Sequence, residues 1–149
     1  MLFVGLGNKS LMVDKLGYLT IEKIALNNHC YKIYKDVESL TNIDTVDFIK
    51  SLVKLLDVDL VVIFDSLKAT SIERLGTTIQ ISTGGMMINN KMLNKKTIKC
   101  NMISIGVPSI IDLKSIKEDN PKLLVTVDLI DEIIETSSSL LSIVINRLF

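Results

Sequence analysis

The stretch from Leu60 to Ser82, LVVIFDSLKATSIERLGTTIQIS, constrains the fold more than any other part of the chain. Residues Leu60 to Phe64 are all apolar and rich in Val and Ile. Such a run favours a strand buried on both faces, as in a parallel sheet covered by helices. Asp65 follows directly. A carboxylate at the end of a central strand stands at the rim of an α/β sheet, where ligand crevices open. The position also suits a turn residue or a helix N-cap, because Asp is a preferred cap. After a short linking segment, Thr77 to Ser82 reads as another strand, with Ile79 and Ile81 set among Thr77, Thr78 and Gln80.

Around this stretch, strand-like and helix-like segments alternate. Residues 2–5, LFVG, read as a first buried strand, and Gly5-Leu6-Gly7-Asn8 turns out of it. The third glycine of a dinucleotide fingerprint is missing, since position 10 is Ser, so the GxG is read as a tight turn. Asp14 precedes a helix expected to reach about Asn27, and it is a candidate N-cap. Cys30 to Tyr34 reads as a short strand. Thr45 to Leu56 reads as a helix with Phe48, Leu52, Val53 and Leu56 on a core face, broken by Asp57-Val58-Asp59. Met86 to Lys96, with its Asn, Lys and Met residues, reads as a partly mobile loop. Asn101 to Val107 reads as strand five, ended by Pro108. A long closing helix spans Thr126 to Leu148, with a weak point at Ser137-Ser138-Ser139. The expected class is therefore α/β: three αβα layers around a mainly parallel sheet of about five strands, in a single domain over residues 1–149.

Composition excludes several function classes. Lys plus Arg and Asp plus Glu both number 17, so no basic face is implied and nucleic acid is not the expected ligand. No apolar run approaches the roughly 20 residues of a membrane-spanning helix. Met1-Leu2-Phe3-Val4 reads as a strand and not as a signal peptide. Cys30 and Cys100 lie far apart and read as reduced, buried thiols of a cytoplasmic protein. With one histidine, His29, and two scattered cysteines, neither a zinc site nor a Ser or Cys triad is expected, and no metal or other cofactor is called for.

Two acids remain. In the common 2-1-3-4 doubly wound order, strands one and three are neighbours, about 4.8 Å apart. Asp14, on the loop leaving strand one, and Asp65, at the end of strand three, then converge at the switch point. Two adjacent carboxylates do not both ionise easily, so one keeps a proton. The ionised member can activate water while its mate protonates a leaving amine, which hydrolyses a peptide without Ser, Cys or metal. Asn8 is expected to hold the loop, and Arg74 to pair with an acid, either Asp65 or one on the surface.

The motifs carry a resemblance. GLGN followed by Asp14 and KLG, over residues 5–17, resembles the opening segment of the germination protease (spore protease) family. VVIFDSLKATSIERLGTTIQIS is closer still, and ISIGVPSIIDLKSI, residues 103–116, resembles the family's Ala-Ile-Gly-Val-Pro-Thr-Val-Val-Asp segment. The resemblance covers about residues 2–116. It implies an aspartic-type endopeptidase that degrades small acid-soluble spore proteins during germination, in the spore cytoplasm and as a homo-oligomer. It also implies a fold like that of hydrogenase-maturation peptidases. The family's two proposed catalytic aspartates fall on Asp14 and Asp65. The chain departs from the pattern at Met12-Val13, where Thr-Pro is usual, and at Thr83-Gly84-Gly85-Met86, which lacks the family's Asp-Thr-Gly. It reads as a minimal core without the family's pro-segment. Beside the enzyme stands a second reading, a catalytically inactive or differently specific relative serving as a binding or assembly module in sporulation.

Overall fold

The computed structural model describes residues 1–8, 10, 14–25, 29–34, 43–111 and 127–148. In order these form β1 (Leu2–Gly5), α1 (Leu16–Lys23), β2 (Tyr31–Ile33), α2 (Thr45–Leu56), β3 (Leu60–Ala69) and a 3₁₀ turn (Ile72–Arg74). There follow β4 (Gln80–Ser82), β5 (Met86–Ile88), β6 (Lys91–Leu93), α3 (Lys95–Ile98), β7 (Asn101–Ile111) and α4 (Val127–Leu148). Met12-Val13 and residues 112–126 of the segments around Pro108 and Thr126 lie outside the described residues; the helix expected to reach about Asn27 ends at Lys23, where Ile24 is already extended.

The central sheet has five strands in the order β2-β1-β3-β7-β4. All neighbours are parallel except β4, which runs antiparallel to β7. Alternation along β3 splits its side chains between two cores. Val61 and Ile63 join Leu2 and Val4 against Val46, Ile49 and Val53 of α2, with Leu93 and Ile98 beneath. Val62 and Phe64 join Phe3 and Val107 against α1 and α4, through Leu16, Ile21, Ile134, Leu141 and Ile145. Both faces are thus covered, and the three-layer αβα class follows. Phe3, Ile63 and Phe64 are almost wholly buried, each worth about 1.5–3 kcal/mol of hydrophobic stabilisation.

Four sequence expectations are corrected. The fourth strand in sequence is not β3's neighbour: β7 takes that place and β4 lies at the edge. β7 pairs with β3 over its whole length and buries Met102 on one face and Val107 on the other. The three-residue β4 is largely exposed, with Ile81 two-thirds open to solvent, as an edge strand is. Pro108 does not end its strand. The ladder runs Leu67 to Pro108 and then Lys68 to Ile110, so Ser109 is the extra residue of a bulge, where a strand tolerates proline. β3 likewise continues to Ala69, which puts Asp65 inside the strand and not at its end.

The fourth correction concerns Met86 to Lys96, which is ordered. β5 and β6 form a hairpin joined by Asn89 and Asn90, both with positive φ (46° and 64°), as a type I′ turn requires. Asn94 then caps α3, accepting from Lys96 and Thr97 N–H, while Thr97 Oγ1 accepts from Asn94 N–H. Polar composition suggested a loop; asparagine instead supplies the turn and the cap. α2 ends as expected, with Asp57 in the left-handed region. α4 runs unbroken through its serines. Ser137, Ser138 and Ser142 are buried, and Lys23 of α1 donates to Ser138 and Ser139 at 3.0 Å each, so they form the narrow contact face towards α1.

Candidate active site

β1 is shorter than β3. Gly5 pairs with Phe64, and the chain leaves the sheet at Leu6, whose N–H still reaches the Phe64 carbonyl at 2.9 Å. Asp65, the next residue of β3, therefore has no β1 residue beside it. It lies level with a strand end although its own strand continues, which restores the crevice position expected from the sequence. The opening is a cleft of about 330 Å³. Its floor is Val4, Gly5 and Asp65; one wall is the loop Leu6–Asn8 with Asp14. Thr45, Phe48 and Ile49 of α2 and Ile33 of β2 form the second wall, and Met87, Ile88 and Asn89 of the hairpin form the third.

The loop holds Asp14 through its backbone. Gly7 has φ +101°, and a Cβ there would sit 1.9 Å from the Asp14 carbonyl oxygen, so the turn admits only glycine. The turn aims the Asn8 N–H at Asp14 Oδ2, 3.0 Å away, and Asn8 Oδ1 accepts from Ser10 N–H at 2.9 Å. Asn8 thus holds the loop as expected. Asp14 does not cap α1: Lys15 occupies that place without a side-chain cap, which leaves the Asp14 carboxylate free to face the cleft. Here the glycines of GLGN serve a tight turn and close packing.

The two acids feel each other. Burial, and second to it the negative charge of Asp14, push the Asp65 carboxyl up to about 7 against the opposing Ser66 N–H, which donates to Asp65 Oδ1 at 2.9 Å. Burial also raises Asp14, opposed by the Asn8 N–H. Below about 7 Asp65 thus keeps its proton, and the charge that helps to hold it there is that of Asp14. The structure brings both sequence-predicted site residues into one cleft. Arg74 is not part of it: it is exposed on the 3₁₀ turn, and the charge acting on Asp65 is that of Asp14.

Neither cysteine faces the acids. Cys100 is buried, with burial raising its thiol, and Sγ donates to the Val58 carbonyl at 3.1 Å. Cys30 is half-buried, not buried as expected, because it precedes the edge strand β2. Among the described residues no cluster of three or more His, Cys, Asp or Glu side chains is placed to hold a metal ion, and no helix is long and apolar enough to cross a membrane. Sequence reasoning missed Phe48, Met87 and Asn89 as cleft residues. Phe48 was counted as core, and the Asn-Asn pair that marks the hairpin tip was counted as loop.

Comparison with known proteins places the chain in a family. The family model for germination protease matches residues 1–128. Germination protease from Geobacillus sp. (strain WCH70) is 36% identical over 139 residues, covering 79% of this chain and 37% of that protein. The Bacillus subtilis germination protease is 34% identical over 139 residues, covering 79% of this chain and 38% of its own length. The chain thus spans well under half of these relatives. Among solved structures, the [NiFe] hydrogenase maturation protease HycI from Thermococcus kodakarensis superposes with a TM-score of 0.54 over 97% of this chain and 90% of that one. At 15% identity that likeness concerns the fold. With that family model matching residues 1–128 and these relatives 34–36% identical over 79% of its length, the chain belongs to the germination protease family.

Proposed function

We propose that this protein is an aspartic-type endopeptidase of the spore-protease kind, with Asp14 and Asp65 as its catalytic pair. The observation that supports this best is the cleft holding both carboxyls, with Asp65 raised to about 7 by its burial and by the charge of Asp14. In this reading the Asp14 carboxylate takes a proton from water as the water oxygen bonds to the peptide carbonyl carbon. The Asp65 carboxyl gives its proton to the departing nitrogen as the C–N bond breaks. The bond to the new carboxylate and the free amine then account for every atom of the water consumed. Asn8 N–H keeps Asp14 turned towards the water and favours its charged form.

We take the substrates to be small acid-soluble spore proteins, cut in the spore cytoplasm during germination, a reading that the family match supports. Exposed Ile81, Leu140, Ile143 and Leu148 support self-association into a homo-oligomer. The test is cleavage of a small acid-soluble spore protein by the wild type, Asp14→Asn and Asp65→Asn. The wild type is expected to cleave and each variant to lose about 10²–10⁴-fold, the usual worth of a general acid or base. A variant that cleaves as fast as the wild type removes its residue from the mechanism. An intact substrate with the wild type sinks the proposal.

A further inference from the structure

Hydrolysis needs the scissile carbonyl exposed, and a helix or folded sheet hides it in hydrogen bonds. An extended segment exposes it, provided that something pairs with its backbone. One wall of the cleft is suited to that task. Ile88 and Lys91 flank a two-residue turn, so they form the hydrogen-bonded pair of the hairpin; Met87 and Met92, one step on, form the non-bonded pair. The Met87 N–H and C=O therefore point away from β6. The hairpin is a sheet of its own, so among the described residues no strand lies along that edge. The cleft is lined from the hairpin by Met87, Ile88 and Asn89 and by no residue of β6, so the free edge of β5 is the one that borders the two acids.

This edge is held in place beforehand. Met86, Ile88 and Leu93 pack into the core beneath it, while Met87 and Met92 stand outward. Lys91 pairs with Asp47 at 2.8 Å and Asp44 at 3.3 Å, tying the hairpin to the start of α2. Apart from Asp14 and Asp65 the cleft lining is uncharged. An extended chain can thus lie along β5 with no third charge to meet.

We infer that the outer edge of β5, centred on Met87, receives the substrate as an added strand and lays its scissile bond across Asp14 and Asp65. The inference rests on the proteolytic reading above and adds to it the class of substrate, unfolded polypeptide in extended conformation, and its mode of recognition.

The test uses wild-type protein and synthetic peptides spanning its cleavage site in a small acid-soluble spore protein. Each peptide is N-methylated at one amide, the scissile amide excepted. Strand addition predicts a loss in kcat/KM of about tenfold at the one amide that faces the Met87 C=O and little at its neighbours. On the protein, Met87→Pro removes the outward N–H without touching the hairpin ladder, and is expected to raise KM at least about tenfold more than Met87→Ala, which changes only the side chain. If Met87→Pro fails to fold, the peptide scan on the wild type decides. Cleavage that ignores N-methylation, or suffers equally from it at every position, overturns the inference and leaves the proteolytic reading standing. Failure of the wild type to cut the spore protein at all overturns both.

Discussion

Gly17 of α1 lies directly against Phe64 of β3. A Cβ on residue 17 would come within 2.4 Å of both the Phe64 and the Leu6 carbonyl oxygens. The first turn of α1 is therefore pressed onto the backbone one residue before Asp65, close behind Asp14. Gly17→Ala must push the helix off the sheet, since backbone cannot move aside as a flexible side chain can. A loss of about 2–4 kcal/mol in denaturant unfolding is expected, together with reduced cleavage. An alanine variant as stable as the wild type would show that the helix start is not held by this contact.

Stability should also report the proton on Asp65. Its folded-state carboxyl titrates at about 7, above the ordinary value of 3.8 that the unfolded chain retains. Between those values the native state holds a proton that the unfolded state has released. Stability therefore falls as pH rises from about 4 through 7, the reverse of the usual salt-bridged carboxylate. Asp65→Asn abolishes that fall, so relative to wild type it gains about 2 kcal/mol between pH 4 and 8, a figure discounted for the water in the cleft. Urea unfolding at a series of pH values measures it. Parallel profiles for the two proteins would mean that Asp65 titrates normally.

The same proton gives the proposed activity an alkaline limb. Cleavage requires a protonated Asp65, so kcat/KM should decline as pH rises through about 7. On the acid side it declines as Asp14, itself raised, takes up its proton. A rate that climbs steadily from pH 6 to 9 would exclude Asp65 as the acid.

What could be read from the sequence follows the reach of each signal. The Val- and Ile-rich run before Asp65 marks a doubly buried strand, and that strand is β3. The strength of the run does not show where the strand stops, because Ser66 to Ala69 mix polar and apolar residues yet pair with β7 throughout. Sheet order was out of reach for a similar reason. Thr77 to Ser82 has the alternation of any strand, and only the length of β7 and its burial on both faces decide which of the two sits inside. Asp65 stands out because it follows the apolar run Leu60 to Phe64 and Asp14 because it lies on the loop leaving strand one, and the family resemblance marks both. The hairpin wall was missed because its signal, two asparagines at positive φ, is chemistry of the turn and not of the flanking residues.

That turn can be improved. Type I′ turns favour Asn followed by Gly, and Asn90 carries a φ of 64° that glycine adopts without strain. Asn90→Gly should stabilise the protein by about 0.5 kcal/mol. Thermal unfolding at fixed pH is the measurement. A lowered Tm would mean that the Asn90 side chain contributes more than its backbone conformation loses.

Asp14→Asn offers the most direct check on the pairing of the acids. Burial is the larger reason that Asp65 holds its proton, and the charge of Asp14 is the second. Replacing Asp14 by its neutral isostere removes the second and keeps the first, so the Asp65 carboxyl should titrate lower than about 7 but still above an ordinary carboxylate. Carboxyl carbon chemical shifts followed by NMR from pH 3 to 9 read this out in the folded protein, with no substrate required. The converse holds as well: Asp65→Asn should scarcely move Asp14, whose shift arises from burial against the Asn8 N–H. An Asp65 titration unchanged by Asp14→Asn would mean that the two carboxyls stand too far apart to share a proton, and the catalytic pair would be lost with it.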